Sequence, residues 1–350
     1  MMLQARKDIA VVIPARNEEQ RIGSCLSALA GQCSERTTVF VVINNSTDRS
    51  IAVARHVADR KCIDLRIVHC VIEQDLGVGA VRNIGCLHAI RHMPDLRYLL
   101  GTDADCVVGP GWVFRNSAHL ETSDAVCGRV TPLIGDLAVL QKMNQTLARN
   151  EGVYRGLVQT LYACYAEGCQ SLGGTHGETA GASLAITKEA YLAIEGFTSV
   201  GAGEDRMIVR KLHRLGYRVR HANDVVVQAS CRLVGRARGG MSDALKARIF
   251  HDDYYIDDCL PSSECLLKQV AAGTLGSWPP LAPQDDRVLA SDLGRHIDAL
   301  ATYLNSHRPG LSAGTTVPAQ PAPDCPADAL ACIPDYKITR ADDLLPWKAC

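Results

Sequence analysis

Two carboxylates separated by one residue stand in Gly101-Thr102-Asp103-Ala104-Asp105, directly after the apolar run Tyr98-Leu99-Leu100. At the end of a buried strand, that spacing can hold a hard divalent cation, Mn2+ or Mg2+, while the cation also bridges a diphosphate. A cation there neutralises charge building on a leaving phosphate. A solvated turn shows the same triplet, so its surroundings decide. A second acidic group, Gly203-Glu204-Asp205-Arg206, opens a helical pattern running to Leu215. Carboxylates in a first helical turn interact well with the helix dipole and stay ionised. They are either ordinary helix caps or a base that takes the proton from an attacking hydroxyl. A third group, Asn44-Asn45-Ser46-Thr47-Asp48, follows the run Val41-Val42-Ile43. It can read a nucleobase and ribose, or serve only as a turn and helix cap.

These groups need elements to position them. Apolar runs lie at 9–13, 39–43, 65–72, 97–100 and 125–130. Between them, Ile22, Cys25, Leu26 and Leu29 recur at helical spacing and stop at Gly31. Asp48 can cap a second helix carrying Ile51, Ala54, Val57 and Ala58, and Ala80, Ile84 and Leu87 mark a third. Alternating strands and helices predict an α/β fold with a mostly parallel sheet covered on both faces. Ligands in such sheets bind beyond the carboxyl ends of the strands, where the acidic pair falls. From 136 to 170 the period is helical, with Leu140, Met143 and Leu147 on one face and Tyr154, Leu157, Val158, Leu161 and Tyr165 on another. Helices are also predicted over 205–215, 241–258 and 284–305, with a last strand at 217–227. The stretch 308–328 is rich in Pro, Ala and Gly and reads as a linker. The tail, 329–350, is expected to pack back through Ile333, Tyr336, Leu344 and Trp347.

The 350 residues are 47% apolar and 21% charged, with a formal net charge of -1. Such a chain buries a substantial core and lacks the basic excess of a nucleic-acid binder. No apolar run approaches the roughly 18–20 residues of a transmembrane segment. The N-terminal apolar run is broken by Pro14 and Arg16, too short for a signal-peptide core. The 15 cysteines are scattered, with no CxxC pair, which suits buried thiols in a reducing compartment better than zinc ligands or a disulfide framework. The expectation is a cytoplasmic protein, peripheral to the membrane at most.

Taken in order, the pieces resemble the family 2 glycosyltransferases, from about residue 8 to 232. The resemblance rests on VVIPARNEE at 11–19, NNSTD at 44–48, GVGAVRNIG at 77–85 and TDAD at 102–105. It continues through GETAGASLAITKEAYLAIEGF at 177–197 and GEDRMIVRKLHRLGYRV at 203–219. It implies a GT-A-type twisted sheet with helices on both faces, and a helical C-terminal extension. It also implies a nucleotide-sugar donor, a divalent cation, and transfer to an acceptor hydroxyl with inversion. The acceptor class stays open among small molecules, glycans and lipid-linked glycans. Carried over position by position, Pro14, Ala15, Arg16 and Glu18 line the nucleotide pocket. Asn44 stands at the base-reading position, and Arg82 and Asn83 approach the ribose and diphosphate. Asp103 contacts ribose or sugar and assists the metal, Asp105 is the direct metal ligand, Asp205 is the base, and Glu204 binds acceptor or donor sugar.

Two departures from the family pattern matter. Asn44 and Asn45 replace the usual Asp, leaving the preferred base open. After the last strand, Gln228-Ala229-Ser230-Cys231 stands where relatives carry a His, a third metal ligand; His176 and His221 are the substitutes available. The basic, Gly-rich run at 232–240 has no Gln-x-x-Arg-Trp element, which argues against polymer synthesis. Its Arg232 and Arg236 suit a mobile lid over a diphosphate, or a solvated loop. The expected organisation is a catalytic domain over 1–232 with a helical insertion at 136–170, then an extension over 233–307. Alternatives are a catalytically degenerate nucleotide-sugar-binding or scaffold protein and, less well supported, a nucleotidyltransferase. Gly77-x-Gly79 lacks the third glycine of a dinucleotide fingerprint, since Arg82 stands there.

Overall fold

The computed structural model describes residues 6–73, 76–236 and 239–307, together with the backbone of 339–340. Its strands are β1 (Ile9–Ala15), β2 (Thr37–Asn44), β3 (Leu65–Cys70), β4 (Tyr98–Gly101), β5 (Val107–Val108), β6 (Ala125–Pro132), β7 (Leu184–Thr187), β8 (Val219–Ala229) and β9 (Thr339–Arg340). They form one sheet in the order β5-β8-β6-β7-β4-β1-β2-β3-β9. The block β4-β1-β2-β3 is parallel, as is the long pair β6-β8. The short β7 runs antiparallel between β4 and β6 and joins the two parallel parts. The edge pairs β3-β9 and β5-β8 are also antiparallel. Among the described residues four of the eight pairs are therefore parallel and four antiparallel, but the parallel ones carry most of the register.

Side-chain alternation along β1 and β2 divides the core between the two faces of the sheet. Ile9, Val11 and Ile13, with Val39, Val41 and Ile43, pack on one side against α1 (Ile22–Ala30), α2 (Ser50–Lys61) and α4 (Trp112–Leu120). Ala10, Val12, Phe40 and Val42 pack on the other against α3 (Gly77–His92), α7 (Lys188–Ala193) and α8 (Glu204–Arg214). Burial on both faces is why these strands read as continuous apolar runs.

A third core joins α6 (Gln145–Tyr165) to α10 (Ser263–Ala272) and α11 (Leu293–Ser306), through Tyr154, Val158, Leu161, Leu266 and Leu300. The stretch read as an insertion thus packs with the C-terminal extension. Leu140 and Met143 do not share a helix with Leu147: the short α5 (Leu137–Leu140) ends, and Asn144 caps α6, its Oδ1 accepting from the Thr146 and Leu147 amides. Polar side-chain capping overrode the apolar period here. The helix expected over 241–258 is α9 (Met241–Phe250) alone, and the one over 284–305 is α11 preceded by two 3-10 turns. Helix α10 is unforeseen, although Ser262 caps the Cys265 amide at its start and Gly273, with φ 65°, ends it.

Asp48, expected to cap the second helix, stands one residue earlier than the cap position, which Arg49 occupies before α2 begins at Ser50. Its Oδ1 accepts from the Ser50 amide, and its Oδ2 accepts from the Glu19 amide on the neighbouring loop. Gly31 follows α1, at φ -77°, without the left-handed turn of a glycine cap. The 12 cysteines among the described residues are all free thiols. No helix among those residues is long and apolar enough to cross a membrane. Ile333, Tyr336, Leu344 and Trp347 lie outside the described residues.

Helix α3 lies close on the sheet at Gly85, where an added Cβ would fall 2.5 Å from Val12 Cγ1 and 2.7 Å from Val42 Cγ2. Those β-branched neighbours have little room to turn. Gly85→Ala is therefore predicted to lower stability. Overpacking costs about 1–3 kcal/mol, which outweighs roughly 1 kcal/mol of better helix propensity. Denaturant unfolding checks it; an unchanged or raised midpoint would show that α3 can lift away freely.

Candidate active site

The buried guanidinium of Arg82, on α3, holds the site together. Its Nη2 donates to Asp103 Oδ1 at 2.5 Å, and its Nε lies 3.6 Å from Glu204 Oε1. Burial works against this charge, but the carboxylates of Asp103, Glu204 and Asp205 more than offset it and hold the pKa above its ordinary value. Room for the group comes from glycine: a Cβ at Gly181 would sit 2.7 Å from Arg82 Nη2. One arginine therefore couples the end of β4 to the start of α8.

The carboxylate oxygens of Asp103 and Asp105 come within 4.8 Å of each other, with the Cys106 thiol beside them. Two hard oxygen donors suit Mn2+ or Mg2+. The thiol does not, because burial and the two neighbouring carboxylates push its pKa well above the ordinary value. Burial, then the charge of Asp103, lifts Asp105 to about 6, with Arg232 acting in the opposite direction. His176 and His221 form an edge-on ring pair 5.8 Å apart and are not in this acidic group. His221 is buried and has no hydrogen-bond partner at either ring nitrogen among the described residues, and burial pushes its pKa down to about 3. It is a core residue.

The two carboxylates of α8 differ in their surroundings. Glu204 is turned inward, its side chain 6% exposed, and burial followed by the charge of Asp205 raises its pKa while Arg82 lowers it. That leaves little of Glu204 open to an acceptor or sugar. Asp205 is 23% exposed; its Oδ2 accepts from the Gly181 amide at 2.9 Å and its Oδ1 from the Arg206 amide at 2.7 Å. The outward side of α8 is clamped to the C-terminal extension. Arg206 Nη1 donates to both Asp257 and Asp258, and Arg210 donates to the Pro279 and Pro280 carbonyls.

The loop after β1 and the turn after β2 are laced together. The Asn17 amide donates to Ser46 Oγ, the Thr47 amide to Asn17 Oδ1, and the Glu18 amide to Ser50 Oγ. Pro14, Ala15 and Asn44 are buried at the strand ends, with Arg16 partly exposed beyond them. Asn83 is joined not to the acidic group but to the Tyr191 hydroxyl, which donates to its Oδ1 at 2.5 Å. Arg232 and Arg236 have firm partners in the fold. Arg232 forks onto Glu18, Nη1 to Oε2 at 2.8 Å and Nη2 to Oε1 at 2.6 Å, and its Nη2 lies 3.0 Å from Asp105 Oδ2. Arg236 donates to the Arg16 and Asn17 carbonyls. A cleft opens between the 17–21 loop, Asp48 and the 232–236 segment.

Glu18, Asp103, Asp105, Arg82, Glu204, Asp205 and Arg232 thus form one connected group on an α/β sheet. Over residues 10–171, a little under half of its length, the chain matches the family described as glycosyl transferase family 2. An uncharacterised glycosyltransferase of Haemophilus influenzae is 27% identical over 120 residues, and the match spans 34% of each chain. Among solved structures, residues 1–349 of Staphylococcus aureus TarS in complex with UDP-GlcNAc give a TM-score of 0.46 at 17% identity, covering 86% of this chain and 72% of that one. The mannosyltransferase PcManGT of Pyrobaculum calidifontis, in complex with GDP-Man and Mn2+, gives 0.46 at 19% identity, covering 84% and 80%. Glucosyl-3-phosphoglycerate synthase of Mycobacterium tuberculosis, with Mn2+, UDP-Glc and phosphoglyceric acid, gives 0.43 at 18%, covering 70% and 79%.

Arg82→Met removes the buried cation and leaves Asp103 and Glu204 facing each other without it. Breaking a buried pair in this way costs about 3–5 kcal/mol. A fall in the urea midpoint, with a lower thermal midpoint, is expected; a variant as stable as the parent would show that Arg82 is not a structural hub.

Proposed function

We propose that this protein transfers a sugar from a nucleoside-diphosphate donor to an acceptor hydroxyl, with divalent-metal assistance and inversion at the anomeric carbon. The observation that carries the reading is the Arg82 link, which sets the Asp103/Asp105 pair beside the α8 carboxylates. The match to glycosyl transferase family 2 over residues 10–171 and the placement of the acidic pair after β4 support it.

Asp105, with Asp103, would hold the cation, whose chemistry is to neutralise charge developing on the leaving diphosphate. Glu18 orients Arg232 at the edge of the same group. Arg82 holds the Asp103 carboxylate in place through its Nη2 contact with Oδ1. Asp205 is the carboxylate open enough to reach an acceptor hydroxyl, and it is the base in this reading. The Gly181 and Arg206 amides fix its direction. Glu204 acts through Arg82 as a positioning residue. The laced loops at 16–19 and 44–48 supply the nucleotide pocket, with Asn44 at its floor able both to donate and to accept. No helix among the described residues is long and apolar enough to cross a membrane; the protein's place of action in this reading is the cytoplasm.

Donor hydrolysis and transfer with a panel of nucleotide sugars, with and without Mn2+, test the activity. Asp205→Asn should lower transfer by about 10²- to 10⁴-fold while nucleotide binding stays nearly intact, the range expected for loss of a general base. If the side chain served only as a cap, Asn would replace it at no more than about 1 kcal/mol, because both are good caps. Turnover near the parent value would remove the base from Asp205. Asp105→Ala should weaken Mn2+-dependent nucleotide binding more than Asp103→Ala, as read by calorimetry; undiminished binding of nucleotide in EDTA would sink the metal-assisted reading.

A further inference from the structure

We propose that Arg232 is the built-in counter-cation of the metal site and makes metal binding conditional on the nucleotide. The inference rests on the metal-assisted reading above and concerns how that site is regulated. Its basis is the three-way contact of one guanidinium with Glu18 and Asp105, the second of which is the expected metal ligand.

Charge balance within the group is explicit. Arg82 satisfies Asp103, and Arg232 satisfies Glu18 and Asp105. Arg236 Nε stands 3.9 Å from Glu18 Oε1 and adds positive charge on the same side. A divalent cation arriving alone at Asp105 meets a guanidinium already there. It must either accept a like charge at close range or break the contact with Asp105. A diphosphate changes that balance, because it offers Arg232 a second fork-shaped set of acceptors. The guanidinium then exchanges a carboxylate for phosphate oxygens, and the cation takes the freed carboxylate oxygen.

The surrounding chain favours a short swing of the side chain over movement of the backbone. Asp136 Oδ2 accepts from the Cys231 amide and from Ser230 Oγ, each at 3.0 Å, and pairs with Arg21 at 3.3 Å. The backbone entering Arg232 is therefore pinned to Asp136 and, through it, to Arg21 just before α1. The Glu18 fork keeps the guanidinium within reach of the acidic pair. Metal and nucleotide are thereby linked through one side chain, and by reciprocity each must strengthen the other.

Mn2+ binding to the full chain, read from the electron paramagnetic resonance signal of free Mn2+, tests the proposal. It is measured alone and with saturating UDP or GDP, for the parent, Arg232→Gln and Arg232→Lys. The parent should bind Mn2+ weakly alone and more tightly with whichever nucleotide it accepts. Arg232→Gln should bind Mn2+ alone more tightly, by roughly the 5- to 150-fold typical of site coupling, and should lose most of the nucleotide's enhancement. Arg232→Lys keeps the charge without the fork and should fall between them; it also serves if the Gln variant folds poorly. A parent whose Mn2+ affinity rises with nucleotide, beside variants unchanged in Mn2+ affinity alone, overturns the role of Arg232 and leaves the metal-assisted reading standing. A parent that binds no Mn2+ under any condition takes down that reading, and this proposal with it.

Discussion

A positive charge buried among carboxylates is the constraint on which the rest of this site depends. Arg82 is nearly inaccessible, and an unpaired guanidinium in that position would be prohibitively costly. Its partners must therefore stay within a few ångströms, and they come from segments far apart in the chain: Asp103 after β4, and Glu204 at the start of α8. The pairing also dictates small residues. Gly181 faces the guanidinium, and at Gly79 an added Cβ would lie 2.9 Å from Glu204 Cβ. Stability and site geometry are thus consequences of the same contact.

Around this centre, charge is compensated in pairs. Arg82 serves the inner carboxylates and Arg232 the outer ones, so the acidic group is stable as a folded object in its own right. The arrangement separates two demands that conflict in an acidic site, which must concentrate negative charge to attract a cation yet must fold without one. A guanidinium is suited to the outer position because its planar fork fits carboxylate and phosphate alike.

The C-terminal extension contributes through α8. One side of that helix delivers Glu204 and Asp205 to the site; the other is held by Asp257, Asp258 and the carbonyls of Pro279 and Pro280. Residues from the C-terminal extension and helix α6 share a core of their own, and the extension fixes the helix on which the proposed base stands. Their role in the site is mechanical support.

Local sequence determined the strands, because β1 and β2 are buried on both faces and so read as unbroken apolar runs. It also determined the acidic pair, Asp205 at a helix start and the polar turn at 44–48, since strand ends and helix starts carry short-range signatures. Other features depended on partners distant in the chain. Asn83, adjacent to Arg82, faces the Tyr191 hydroxyl because successive helical residues point in different directions. Glu204 and Asp205 are neighbours in sequence, yet one is buried against Arg82 and the other stays partly open. The break at Asn144 and the helix begun at Ser262 turned on single side-chain caps, which apolar periodicity does not register. Arg232 read as a free basic loop residue because Glu18 and Asp105 lie 214 and 127 positions away. Only the folded sheet, by bringing the loop after β1, the turn after β4 and the chain leaving β8 to one edge, could make a single ion-paired group of them.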